Sequence, residues 1–305
     1  MKTKVLLALL AAVLLTSCGE SSSSDSKNDN SSVQTTASAA ESDNTATAAA
    51  GSDPEPEPEP AADTQADRET IYQVSLLQGL TLGDYNGSVS VADLKANGDT
   101  GIGTFDGLNG ELIMSDGVVY RGLSDGSVEV VADDETIPFA NVTFFDADEQ
   151  EDVSGIATIA DIKALLDERV EKLGKNSFYM VKIEGTFNKV HARSELKQEK
   201  PYKPLAEVLE TDQREFEWEN IEGTVVALYC PEYMKDLNAA GWHLHFISSD
   251  KTKGGHVLDV DINSAKLSID PTQGYNMQLP ETEMFPTLDL TKDQSEDIKK
   301  VETKD

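Results

Sequence analysis

The chain changes character at residue 70, and that boundary fixes how much of it can fold. Residues 19–69 hold twelve acids, two bases and almost no large apolar side chain. Ser21–Ser24, the Ser/Thr/Ala mixture of Ser31–Ala50 and the Pro-Glu alternation from Pro54 to Pro60 bury too little apolar area to offset the entropy of ordering them. The Pro-Glu run reads as an extended, self-repelling spacer. A hydrophobic core is therefore to be sought between Thr70 and Asp305, a length that suits one large domain or two small ones.

What precedes the spacer reads as an export signal. Lys2 and Lys4 are followed by the unbroken apolar run Val5–Leu15, too short to span a bilayer as a mature helix. A positive start and a short apolar stretch make a secretory leader. Because its small-residue site ends on Cys18, residues 1–18 resemble a bacterial lipoprotein signal, in which that Cys becomes the lipidated first residue. The expected organisation is leader 1–18, acidic tether 19–69 and domain 70–305, with the protein exported and lipid-anchored at the cell envelope. Cys18 and Cys230 are the two cysteines, so lipidation of the first leaves the second without a disulfide partner. Cys230 ends the apolar run Val225–Cys230 and is expected to be a buried core residue.

Charge narrows the partners. Twenty-five Lys and Arg stand against 56 Asp and Glu, a formal net charge of -31. That balance speaks against nucleic acid and acidic membrane surfaces, where each phosphate contact needs a cation.

From Ile71 onward strand and turn signals dominate. Glu111–Met114 and Val118–Arg121 flank Asp116-Gly117 and predict a hairpin, because Asp-Gly suits the positive φ angles of a tight turn. A second Asp125-Gly126 leads into the alternating run Ser127–Ala132. Further strands are expected at Ala140–Phe145, Phe178–Glu184, Thr186–Arg193, Gly223–Cys230, Trp242–Ser248 and Val257–Ile262. The strongest helix is Ile159–Leu173, capped by Thr158 with Asp161 three residues on, and closed by Gly174. Shorter helices are expected at Val91–Ala96 and Glu232–Ala239. Many strands, few helices and no regular βαβ alternation predict a β-rich α+β fold.

Three of the four histidines fall close together, in Gly241-Trp242-His243-Leu244-His245-Phe246 and Gly254-Gly255-His256. Residues two apart share one face of a strand, so His243 and His245 point together while Leu244 and Phe246 face the core. A turn through Ser248–Gly255 brings His256 back on the neighbouring strand. Three imidazoles with an open fourth position are an arrangement that catalytic zinc uses. On these residues alone, three structural or surface histidines remain the alternative. His191 stands apart and reads as a surface or packing residue.

Several longer segments then occur in a fixed order. They are Gly101-Ile102-Gly103-Thr104-Phe105-Asp106-Gly107-Leu108-Asn109-Gly110-Glu111, Pro138-Phe139-Ala140, Asn176-Ser177-Phe178-Tyr179, Gly185-Thr186-Phe187, His191-Ala192-Arg193 and the two histidine segments. In this order they resemble the alpha-acetolactate decarboxylase family from about Ile71 to the C-terminus. The resemblance implies two packed β-rich halves, a homodimer, and zinc held by His243, His245 and His256. It implies active-site carboxylates at Glu111 and Glu302, an active-site arginine at Arg193 and a nearby Thr104. The implied substrate, acetolactate, carries its own electron sink in a ketone next to the carbon that loses carbon dioxide, so a Lewis-acid metal suffices and no organic cofactor is needed. Arg193 suits a carboxylate through its planar fork, and the two glutamates suit proton delivery. Two other functions stay open on sequence grounds. One is a different three-His metal enzyme, such as a cupin-like oxygenase; the other is a tethered, non-enzymatic metal or ligand binder.

Overall fold

The structure, a computed structural model, describes residues 68–302. The leader with Cys18, and the tether up to residue 67, lie outside the described residues.

The chain runs through β1 (Thr70–Val74), α1 (Leu77–Thr81), β2 (Val89–Ser90), α2 (Val91–Ala96), β3 (Thr100–Thr104), β4 (Glu111–Ser115), β5 (Val118–Gly122), β6 (Val128–Val130), β7 (Thr136–Ile137) and β8 (Phe139–Thr143). It continues through β9 (Glu149–Ile156), α3 (Ile159–Leu173), β10 (Phe178–Glu195), α4 (Leu205–Asp212), β11 (Gln213–Cys230), β12 (Gly241–Ser248), β13 (Gly254–Thr272), β14 (Gly274–Gln278) and α5 (Ser295–Glu302). This is the expected β-rich α+β fold. One sheet has seven strands in the order β14-β1-β8-β3-β4-β5-β6, antiparallel except for the β1–β14 pair. A second has the order β10-β11-β12-β13-β9, and β13 also pairs with β10, so four of its strands close on themselves; β2 and β7 form a small third sheet.

Local chemistry explains the elements that sequence foresaw. Asp116 and Gly117 turn the β4–β5 hairpin at φ 52° and 77°, as a two-residue turn with positive φ at both positions requires. The Thr158 hydroxyl caps α3 by accepting from the Asp161 amide at 3.2 Å, and Ile162, Leu166 and Val170 bury its inner stripe. α2 starts with a reciprocal Ser90–Asp93 box.

Other elements differ from expectation. Phe178–Glu184 and Thr186–Arg193 are parts of one strand, β10, because Gly185 continues the pairing on both sides instead of turning. Val257–Ile262 is the middle of the longer β13. The helix expected over Glu232–Ala239 is reduced to a 3-10 turn at Glu232–Met234. Asp236 enters the left-handed region at φ 74° and ends it.

The core has layers on both sides of the seven-stranded sheet. Val74, Leu94, Phe105, Leu112 and Met114 pack on one face. On the other, Ile71, Ile102, Ile113 and Tyr120 meet Met180, Val226, Leu228 and Ile247 of the second sheet. Polar ties cross the same interface. Lys182 reaches Asp116 at 2.7 Å and so holds that carboxyl below its usual range. Ser194 donates to the Gly122 carbonyl at 2.8 Å. The interior of the second sheet is filled by Ile183, Phe187, Val190, Leu244, Phe246 and Ile262, with α3 packed against it. Cys230 is buried, as its place at the end of an apolar run led one to expect.

One buried carboxyl makes the fold pH-sensitive. Asp270 is 1% exposed, and burial pushes its pKa from 3.8 up to about 7, although the Asp146 amide donates to it. The folded state therefore holds this proton more tightly than the unfolded chain, so stability present near pH 4 is lost as pH rises through about 7. Asp270→Asn cannot ionise. It should raise stability at pH 8 by roughly 1–3 kcal/mol, with the gain vanishing near pH 4. Thermal unfolding at both pH values checks this, and an equal gain at both would contradict it.

Candidate active site and metal centre

Strand register assembles the site. β12 and β13 pair so that His245 stands opposite His256, and β13 and β10 pair so that His256 stands opposite Arg193. Directly paired residues of an antiparallel ladder share a face, so one row across three strands carries two imidazoles and a guanidinium. His243 joins them from two residues earlier on β12, while Leu244 and Phe246 point into the core on the other face. Gly255 permits the close approach of β13 to β10: a Cβ there would lie 2.5 Å from the Arg193 carbonyl oxygen.

The three ring systems converge. His243 Nε2 lies 3.0 Å from His245 Nε2 and 3.0 Å from His256 Nδ1. Those separations are close to the roughly 3.3 Å between ligand atoms around a tetrahedral zinc with bonds of about 2.0–2.1 Å. His245 Nδ1 faces the Leu112 carbonyl at 2.8 Å. A carbonyl accepts, so Nδ1 carries the proton and Nε2 is left with its lone pair toward the cluster. Burial also drives all three rings neutral. His243 falls to about 3, with Arg193 adding to the effect. Burial first, and then the neighbouring charges, hold His245 and His256 well below 6.5. Neutral, convergent and buried imidazoles are the form in which histidine binds a metal. An all-nitrogen set suits zinc and its transition-metal neighbours rather than the oxygen-seeking calcium or magnesium.

Glu111 and Thr104 enter from the other sheet. They face each other across β3 and β4, and Glu111 Oε2 lies 3.5 Å from His245 Nε2 with its side chain 8% exposed. Gly110, at φ 88°, precedes Glu111; a Cβ there would lie 2.5 Å from the Gly122 carbonyl oxygen. Thr104 donates to the Gly110 carbonyl at 2.8 Å, which braces the turn that presents Glu111.

Glu111, Thr104, His243 and His256 line one cavity of about 40 Å³ with Arg193 and Glu195. Leu77 and Leu80 of α1, Leu205 of α4 and Val301 of α5 roof it and pack together as an apolar cluster. Arg193 ties the roof to the floor. Its Nη2 donates to the Val301 carbonyl, and its Nη1 to Gln213 Oε1 at 3.2 Å. Of the residues foreseen from sequence, the structure brings together His243, His245, His256, Glu111, Arg193 and Thr104. Glu302 is the last residue of α5, next to Val301. His191 pairs with Glu215 at 2.8 Å, away from the cluster. The three-residue spacing of Ile298 and Val301 allows a C-terminal helix to pack one face on the domain, and α5 does so. Sequence reasoning missed Glu195 and the α1 and α4 parts of the roof. Glu195 carried a usable signal, since it stands two residues from Arg193 on one strand; α1 and α4 had none, because they are short.

Residues 71–292 match the sequence model of alpha-acetolactate decarboxylase, a stretch that ends before α5. The alpha-acetolactate decarboxylase of Methanosarcina mazei is 42% identical over 234 residues, 77% of this chain and 80% of its own length. That of Bacillus subtilis strain 168 is 36% identical over 233 residues, 76% of this chain and 89% of its own. The crystal structure of the alpha-acetolactate decarboxylase from Bacillus subtilis strain 168 is similar at a TM-score of 0.74 and 35% identity, covering 77% of this chain and 100% of that one.

If the imidazole cluster is a metal centre, His245→Ala should remove most bound metal while the far-ultraviolet signature of the sheets persists. Elemental analysis of the purified variant decides it, and a full equivalent of metal would remove His245 from the ligand set.

Proposed function

The chain belongs to the alpha-acetolactate decarboxylase family, whose members are carboxy-lyases, and we propose that it converts 2-acetolactate to acetoin and carbon dioxide with zinc as its metal. The observation that carries this reading is a cluster of three neutral, buried imidazoles, two of which, His243 and His256, line one cavity with Glu111 and Arg193.

In the reaction the bond between the carboxylate and the carbinol carbon breaks. Carbon dioxide leaves, the electron pair moves onto the adjacent ketone oxygen, and a proton then completes the carbon. His243, His245 and His256 would hold the metal, which supplies Lewis acidity to the oxygens on which negative charge collects. Arg193 meets the substrate carboxylate with its fork and then the charge that replaces it. Glu111, buried beside His245, is suited to keep a proton for the carbon. The roof of Leu77, Leu80, Leu205 and Val301 keeps competing water from the electron-rich carbon. A cavity of about 40 Å³ has room for a few waters only. Acetolactate therefore enters when the roof gives way, and the Arg193–Val301 contact is the one to yield.

Purified protein should release carbon dioxide and acetoin from acetolactate, lose the activity on chelation and regain it with zinc. Stoichiometric metal without acetoin would return the chain to a non-enzymatic binder; iron with oxygen uptake would make it an oxygenase. We further propose that the protein is exported and held at the envelope by a lipid on Cys18, a reading supported by Lys2 and Lys4, the short apolar run Val5–Leu15 and the small-residue site that ends on Cys18. The same acetoin assay on cell fractions reads this: Cys18→Ser should move activity from washed membranes to the soluble fraction. The family resemblance also suggests a homodimer, which the solution mass of the purified domain checks.

Glu302 is proposed as a second carboxylate at the site. Ile298 and Val301 of α5 are buried in the apolar roof, so the helix that ends in Glu302 is docked at the cavity. Deleting residues 302–305 should abolish decarboxylation while bound metal and melting temperature change little, and Glu302→Gln should reproduce most of the loss. Full activity in the truncated protein would leave Glu111 as the carboxylate that serves the reaction.

A further inference from the structure

β10 turns a second charged side chain toward the cavity. Glu195 stands two residues beyond Arg193, so both lie on one face of the strand, and both line the cavity with His243 and His256. The Glu195 side chain is 3% exposed, and its Oε1 lies 3.6 Å from Arg193 Nε. A carboxylate this deep is unfavourable unless a cation faces it, and the cation across this gap is Arg193.

The guanidinium is thus approached from three directions. Glu195 stands at Nε, Gln213 at Nη1 and the Val301 carbonyl at Nη2. These partners differ in kind. Val301 belongs to the roof and offers a neutral backbone oxygen, which an incoming carboxylate can replace. Gln213 is neutral and partly exposed. Glu195 carries charge, is fixed on the same strand as Arg193, and faces the one guanidinium nitrogen that a carboxylate gripping both Nη groups does not need.

We propose that Glu195 is a positioning residue for Arg193. It holds the Nε side of the guanidinium, so that the two Nη groups stay aimed into the cavity when the roof opens and Nη2 exchanges Val301 for substrate. This rests on the reading of Arg193 as the group that meets the substrate carboxylate. Misplacing such a group by about 1 Å can lower turnover on the order of a hundredfold.

The test is a double-mutant cycle in kcat/KM on the zinc-loaded full domain, with Glu195→Gln, Arg193→Lys and the pair, each checked for metal content and melting temperature. Glu195→Gln should lower kcat/KM by roughly 10- to 100-fold with metal and melting temperature near those of the parent. In the Arg193→Lys background the same change should cost less than about twofold, because the fork that Glu195 orients is gone. Equal losses in both backgrounds would show that Glu195 acts on the substrate directly, and an unaffected Glu195→Gln enzyme would show that it positions nothing; either overturns the proposal. Full activity of Arg193→Lys alone would instead remove the assignment of Arg193, a separate failure. If the Gln variant does not fold, Glu195→Asp, which keeps the charge but withdraws it by one methylene, runs the same cycle and should show the same loss of coupling.

Discussion

The site depends on one row of cross-strand pairs. Arg193, His256 and His245 lie side by side because β10, β13 and β12 are held in a single register. A slip of one residue in any of the three would send its side chain to the opposite face. Two features pin the row. Gly255 lets the backbones of β13 and β10 approach where a Cβ would collide with the Arg193 carbonyl. An irregularity in the β10–β13 ladder between His191 and Ala192 shifts the pairing from Asp259 to Val257. That shift restores the face on which Arg193 meets His256, and bulges are a common way to re-aim a side chain at an active site.

The rest of the fold keeps that row dry and completes it. The seven-stranded sheet packs its Ile71, Ile102 and Ile113 face against β10, β11 and β12. The same docking delivers Glu111 beside His245 and the Leu112 carbonyl onto His245 Nδ1. Packing and chemistry share residues here, since the strand that fills the interface also fixes the tautomer of a proposed ligand. α1, α4 and α5 come from distant parts of the chain and meet only over the cavity. Each is too short to be stable by itself, so the roof exists through its burial on the sheets. Such an element can open at low free-energy cost relative to the core beneath it.

The parts legible in sequence were those governed by local rules. The Asp116-Gly117 hairpin, the Thr158 cap with its apolar stripe, and the alternation that sends His243 and His245 one way and Leu244 and Phe246 the other each follow from a few neighbouring residues. The parts that were not legible depend on distant partners. β10 reads as two strands because Gly185 looks like a break; with β11 on one side and β13 on the other it pairs through without interruption. The ladder irregularity beside Arg193 leaves no mark in composition. Glu195 lay in plain view, two residues from Arg193, yet in a chain with 56 acids a single glutamate stands out only when burial and an ion pair are known.

The charge of the chain poses the last question, since a protein at -31 is proposed to take an anionic substrate. Distance resolves it. At physiological ionic strength charges separated by more than about 8 Å of solvent are largely screened, so the acidic surface slows an approaching monoanion only modestly. Inside the cavity the balance is set by groups in contact. Arg193 and Glu195 offset each other, and the three imidazoles are held neutral by burial. Without a metal the cavity therefore carries no excess positive charge. The three imidazoles would hold a divalent cation, which would supply the positive charge that the cavity otherwise lacks. Under the proposed function, affinity for an anion would come from metal loading and from Arg193 exchanging a roof carbonyl for a carboxylate, and the acidic exterior would not have to change.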